Sequence, residues 1–271
     1  MPNAGDLTPG DAKRKIFLVG GPGAGKTTQF RTLPKVFVYV FDPNALESLI
    51  GASNVEYEMF NIEMLDLGIK TVAQSSRNDL GRPDEPRTYT AWESHYGNSV
   101  ETNFFDDFDF IGFDSITTFS DIVMDRVQYL NGRFGKPPEI TDYTAQMALI
   151  TNVFRTLTHM GKHIIATGHE KPRMEEVPGP GVIKQKRIAE ILPILTGELR
   201  VRLPILFTDI LFLYSDTLGD KVIHEARTGG DAQRQFLRCS IPFAEPVYDF
   251  TLTSFDPYEC RGQGLARMYS L

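Results

Sequence analysis

Gly20-Gly21-Pro22-Gly23-Ala24-Gly25-Lys26-Thr27 satisfies the pattern G-x-x-x-x-G-K-[ST] at every position. Glycines at these positions let successive backbone N–H groups turn inward around a phosphate, where side chains would obstruct the curl. In that geometry Lys26 reaches the β- and γ-phosphates, the Thr27 hydroxyl binds magnesium, Thr28 completes the nucleotide-binding set, and the positive end of the following helix adds to the attraction. Such a site needs a second carboxylate for the metal at the tip of a buried strand. The run Phe110-Ile111-Gly112-Phe113-Asp114-Ser115 provides it, because an Asp ending so apolar a stretch is costly without a cation or donor beside it. Helix capping by Asp114 is compatible with that role. The reading is therefore of a chain that binds ATP and Mg2+.

Two further side chains stand where ligands collect, at the carboxyl ends of parallel strands. Asp42 closes the strand Lys35 to Phe41 and is the candidate for activating a water, with a plain turn before Pro43 as the competing role. His169 follows a strand ending at Thr167-Gly168 and is placed to sense the γ-phosphate, or else is an ordinary hydrogen-bonded histidine.

The elements that must position these groups alternate short apolar runs with longer amphipathic ones, which predicts an α/β fold with a mostly parallel sheet. Strands are expected at 15–19, 35–41, 55–60, 108–113 and 162–167, and closing strands, with antiparallel pairing, at 210–214, 221–226 and 235–239. Helices are expected from the loop to Thr32 and over 63–75, 116–130 and 142–160, the last capped by Asp142, with partial helix over 188–206. Residues 1–14 read as a flexible tail, 77–98 as a polar insertion, 170–185 as a Pro/Gly-rich loop, and 241–271 as a C-terminal extension of the 15–240 core. Because the strand 35–41 comes between the phosphate-loop strand and the Asp114 strand in sequence, another strand is expected to separate those two in the sheet.

The chain has 271 residues and a formal net charge of −7, which excludes a surface coated in basic residues but leaves a local basic patch open. Lys171, Arg173, Lys184, Lys186 and Arg187 stand against only Glu175 and Glu176 within 171–187. The apolar run 203–214 is broken by Pro204 and Asp209 and is too short to span a bilayer, so a cytoplasmic protein with no membrane partner is expected. Cys239 and Cys260 lack partners at metal-ligand spacing, which argues against a zinc site or a disulfide framework.

These landmarks together resemble the phage and prophage RecA-like ATPases that consist of a RecA core alone, including single-strand annealing proteins. The resemblance rests on the phosphate loop through Thr28, on Val36 to Asp42, on Phe113-Asp114-Ser115-Ile116-Thr117, on Asp142-Tyr143, and on Ala166-Thr167-Gly168-His169-Glu170-Lys171. It implies a RecA-like P-loop NTPase core that hydrolyses ATP and assembles into rings or filaments. It also implies action on single-stranded DNA with phage recombination or replication proteins, and a DNA-facing loop over 169–187 carrying the five cations above. In related hexameric motors a Lys-x-Arg segment reaches a neighbour's ATP. Here Arg227 matches the arginine, whereas Glu225 replaces the lysine. Tyr89, Trp92 and Tyr96 offer rings for stacking on bases or for packing on the core. The competing functions are a small-metabolite kinase and a nucleotide-gated scaffold in a packaging or replication assembly.

Overall fold

The computed structural model describes residues 13–61, 85–178, 184–256 and 258–270. The expected tail up to residue 12, the helix over 63–75 and the start of the insertion lie outside them. Five strands come first: β1 (Lys15–Gly20), β2 (Val36–Val40), β3 (Val55–Met59), β4 (Phe110–Asp114) and β5 (His163–Gly168). A hairpin of β6 (Glu170–Pro178) and β7 (Lys184–Pro193) follows, and then β8 (Asp209–Leu218), β9 (Lys221–Arg227) and β10 (Val247–Asp249). The α-helices are α1 (Arg87–Glu101), α2 (Ile116–Leu130), α3 (Ile140–His159), α4 (Leu199–Arg202) and α5 (Gly264–Tyr269).

The main sheet has the order β10-β9-β8-β1-β5-β4-β2-β3. Pairing is parallel from β8 through β3 and antiparallel at β8–β9 and β9–β10. An α/β core with a mostly parallel sheet and antiparallel closing strands is thus present. The strand separating β1 from β4 is β5, which arrives late in the chain.

Period-two alternation explains why both faces of the sheet are covered. From β1, Phe17 and Val19 join an aromatic layer with Tyr39, Phe41, Phe113, Phe119 and Phe154, while Ile16 and Leu18 join Val38, Val40, Phe30 and Leu265 on the opposite face.

Several expected elements differ. Residues 87–101 are a helix, because Tyr89, Trp92 and Tyr96 fall on one helical face and pack inward. Trp92 is 1% exposed and stacks on Tyr96, so the core-packing role is the one realised. The expected loop over 170–185 and the first residues of the expected partial helix form the β6–β7 hairpin, in which Arg173 faces Glu190 and Glu175 faces Arg187, while helix within 188–206 is confined to α4 and a 3-10 turn at Pro204–Leu206. Asp142 is not the first cap of α3: Glu139 holds that place and Asp142 reaches back to its N–H at 2.9 Å as the other half of a capping box.

The segment after the phosphate loop, Thr27–Thr32, is a 3-10 helix, its Gln29 and Arg31 side chains bonded to distant backbone at Phe250, Ser48, Ile50 and Phe255. No strand forms over 235–239, where a single bridge joins Ile210 and Arg238. The segment set apart as an extension adds β10 to the sheet and places Leu265, Ala266, Met268 and Tyr269 in the core.

Candidate active site

β1, β4 and β5 are neighbours, so their carboxyl ends converge. The phosphate-loop residues 22–28 line a cavity of about 440 Å³ together with Asp42, Asp114 and His169. Gly20 is dictated by packing, since a Cβ there would stand 2.1 Å from the Leu213 carbonyl oxygen of β8. Gly25 has φ +81°, a backbone state open to glycine and strained for other residues.

Lys26 is folded back on the loop, its Nζ donating to the carbonyls of Gly20 (2.9 Å) and Gly21 (2.8 Å). Burial lowers its pKa, opposed by the fields of Asp114, Glu170 and Asp42. Asp114, 3% exposed, accepts from the Thr27 hydroxyl at 2.6 Å and from the Thr167 hydroxyl. Burial pushes its pKa up, and the two hydroxyls and Lys26 pull it down. Thr27 and Asp114 therefore present adjacent hard oxygens, the donor set that Mg2+ takes alongside phosphate oxygens and water. The residues fit the ion.

Asp42 does two things. Its Oδ1 accepts from the Asn44 N–H at 3.0 Å and caps the 3-10 helix Pro43–Leu49, while its Oδ2 lies 3.7 Å from Nε2 of His169. The turn-forming role and a place at the cavity coexist. Burial, then the charge of Lys26, lowers the pKa of His169, which favours the neutral imidazole. Its backbone N–H donates to Thr117 Oγ1 at 3.0 Å, tying the exit of β5 to the start of α2.

The remaining expected site residues lie elsewhere. Arg227 does not line this cavity; it pairs with Asp231 at 3.2 Å and sits over the Tyr214 ring. Lys171, Arg173, Lys184, Lys186 and Arg187 belong to the hairpin, and Arg187 and Arg173 are bridged to Glu175 (2.5 Å) and Glu190 (3.4 Å). Counted over 170–190, five cations meet four carboxylates, so the hairpin is far less basic than residues 171–187 alone suggest. Sequence reasoning missed His224. This β9 residue lines the cavity against Gly25, and no motif flags it. Among the described residues no group of His, Cys, Asp and Glu forms a metal cluster, and Cys239 and Cys260 are free thiols.

A family model described as an AAA domain matches residues 12–228. No curated protein matches the chain. Among solved structures the chain is similar to flagellar accessory protein FlaH from Methanocaldococcus jannaschii, with 13% identity and a TM-score of 0.42 over 90% of this chain and 88% of that one. It is similar also to a KaiC-like protein from Pyrococcus horikoshii OT3, with 14% identity and a TM-score of 0.39 over 88% and 84%.

Proposed function

The chain belongs to the AAA domain family and has a P-loop NTPase core, and on that premise we propose that it hydrolyses ATP with Mg2+ and uses nucleotide state to move the β6–β7 hairpin. One observation carries the proposal: Thr27 Oγ1 and Asp114 Oδ2 meet at 2.6 Å beside Lys26, at the wall of the phosphate-loop cavity.

Each residue has a task derivable from its surroundings. Loop amides bind the phosphates, and Lys26 exchanges the Gly20 and Gly21 carbonyls for phosphate oxygens, which match its charge better. Thr27 and Asp114 would hold Mg2+, which when bound would supply positive charge against the phosphate oxygens. Asp42 Oδ2, at the cavity and only partly exposed, takes the proton of the attacking water. His169, neutral and 3.7 Å from Asp42, is where occupancy of the γ-phosphate position is felt, and β6 begins at the next residue.

This nucleotide-gated reading needs no basic surface on the hairpin. Action on single-stranded DNA is the second reading, supported by the exposed Lys171 and Lys186. A small-metabolite kinase is disfavoured because no arginine lines the described cavity and a strand separates β1 from β4. No helix among the described residues is long and apolar enough to cross a membrane.

ATP turnover and mass in solution, measured with and without single-stranded DNA, test these readings together. The proposal expects turnover that Lys26→Ala abolishes and a mass that changes with nucleotide. DNA-stimulated turnover, lost when Lys171 and Lys186 are both neutralised, would support the second reading. A chain that turns over ATP as fast with Lys26→Ala would refute the proposal.

A further inference from the structure

His224 sits on β9, across β8 and β1 from the strands that supply Asp114, Asp42 and His169. Its backbone is fixed: its N–H donates to Thr251 Oγ1 at 2.8 Å and its carbonyl accepts from the Phe250 N–H at 2.8 Å. The imidazole lies on the phosphate loop, with Nδ1 3.2 Å from where a Cβ on Gly25 would stand, and the ring lines the same cavity. Nδ1 is buried and has no hydrogen-bond partner among the described residues. An unpaired buried polar atom is costly, and a hydrogen bond to a ligand would offset that cost.

The sheet order sets the direction in which a nucleotide must lie. Its terminal phosphate belongs beside Lys26, Thr27 and Asp114, on the β5–β4 side of the loop. The phosphate chain then follows the loop amides, and the nucleoside leaves on the other side, where His224 stands. We propose that His224 binds the nucleoside portion of the nucleotide, its ring nitrogen forming a hydrogen bond with the sugar or base, and so ties the β8–β9–β10 edge of the sheet to nucleotide occupancy. Imidazole is suited to either acceptor or donor chemistry, because one nitrogen donates and the other accepts when it is neutral. The inference rests on the nucleotide-binding reading of the cavity.

The test compares ATP, ADP and inorganic tripolyphosphate by titration calorimetry on the wild-type chain, His224→Ala and His224→Gln. We expect His224→Ala to weaken ATP and ADP about three- to tenfold, the worth of one hydrogen bond. Tripolyphosphate, which lacks a nucleoside, should bind the variant within about twofold of wild type on the same basis. His224→Gln, which keeps a polar side chain of similar reach, should recover part of the loss and covers the case in which the alanine variant does not fold. Unchanged ATP affinity in both variants would overturn the inference. An equal loss for tripolyphosphate would overturn it too, showing that His224 only props Gly25. Failure of the wild-type chain to bind either ligand would instead overturn the nucleotide reading, and this inference with it.

Discussion

Replacing Asp114 by asparagine should separate stability from function. The carboxylate is buried at 3% exposure, and burial raises its pKa more than Thr167, Thr27 and Lys26 pull it down. A carboxyl whose folded pKa lies above its unfolded value holds its proton more tightly in the folded state, so ionising it at neutral pH opposes folding. Asparagine has the same shape without the charge. Its amide oxygen still accepts, and its amino group donates to a threonine hydroxyl, which accepts as readily as it donates.

Removing the buried charge and weakening one charged hydrogen bond should leave the nucleotide-free variant more stable by about 1 kcal/mol. That corresponds to roughly 2–4 °C in Tm for a chain of this size. The gain should be full at neutral pH and shrink as pH falls through the raised Asp114 pKa, where protonation neutralises the wild-type side chain as well. Mg-ATP at about 100 times its Kd should stabilise the wild-type chain by about 2.7 kcal/mol, and the variant by much less. Thermal melts at pH 7.5 and pH 5, each with and without Mg-ATP, read all of this. A variant that melts several degrees lower without nucleotide, or that keeps the full Mg-ATP shift, would refute the reasoning.

Other perturbations probe the scaffold. Burial holds the His163 imidazole down to a pKa of about 4, and its Nδ1 accepts from the Arg14 N–H at 3.1 Å. The unfolded chain therefore takes up that proton first, so this contribution is whole above pH ~6.5 and is lost as pH falls toward 4. It amounts to at most about 3 kcal/mol before screening is allowed for. His163→Gln should flatten the measured stability profile in that window. Gly20→Ala places a methyl 2.1 Å from the Leu213 carbonyl oxygen and should cost about 1–3 kcal/mol or more in denaturant unfolding, with loss of nucleotide binding. Trp92→Ala empties the aromatic layer under β2 and β4 and should cost about 3–5 kcal/mol by the same assay while leaving the phosphate loop intact.

What the sequence disclosed followed the strictness of the chemistry. A curled phosphate loop requires glycines, a lysine and a hydroxyl at fixed spacing, and Asp114 had to end an apolar strand, so residues 20–28 and 114 were legible as one site. The presence of a strand between β1 and β4 was legible from chain order; that it is β5 depends on sheet packing. Residues 87–101 hid a helix because their polar and glycine content outweighed the spacing of Tyr89, Trp92 and Tyr96, which only a nearby aromatic layer makes decisive. The hairpin was concealed by its prolines and glycines, and its charge looked strongly basic until register set Arg173 against Glu190. His224 left no trace, because what makes it notable is Gly25, on a distant part of the chain.

Calorimetric titration of the wild-type, Lys26→Ala and Thr27→Ala chains with ATP, in magnesium and in excess chelator, tests the central claim most directly. Tight binding by the wild-type chain that weakens in chelator, a similar loss in Thr27→Ala with magnesium present, and near-complete loss in Lys26→Ala are predicted. Equal heats from all three chains, or binding indifferent to magnesium, would contradict it.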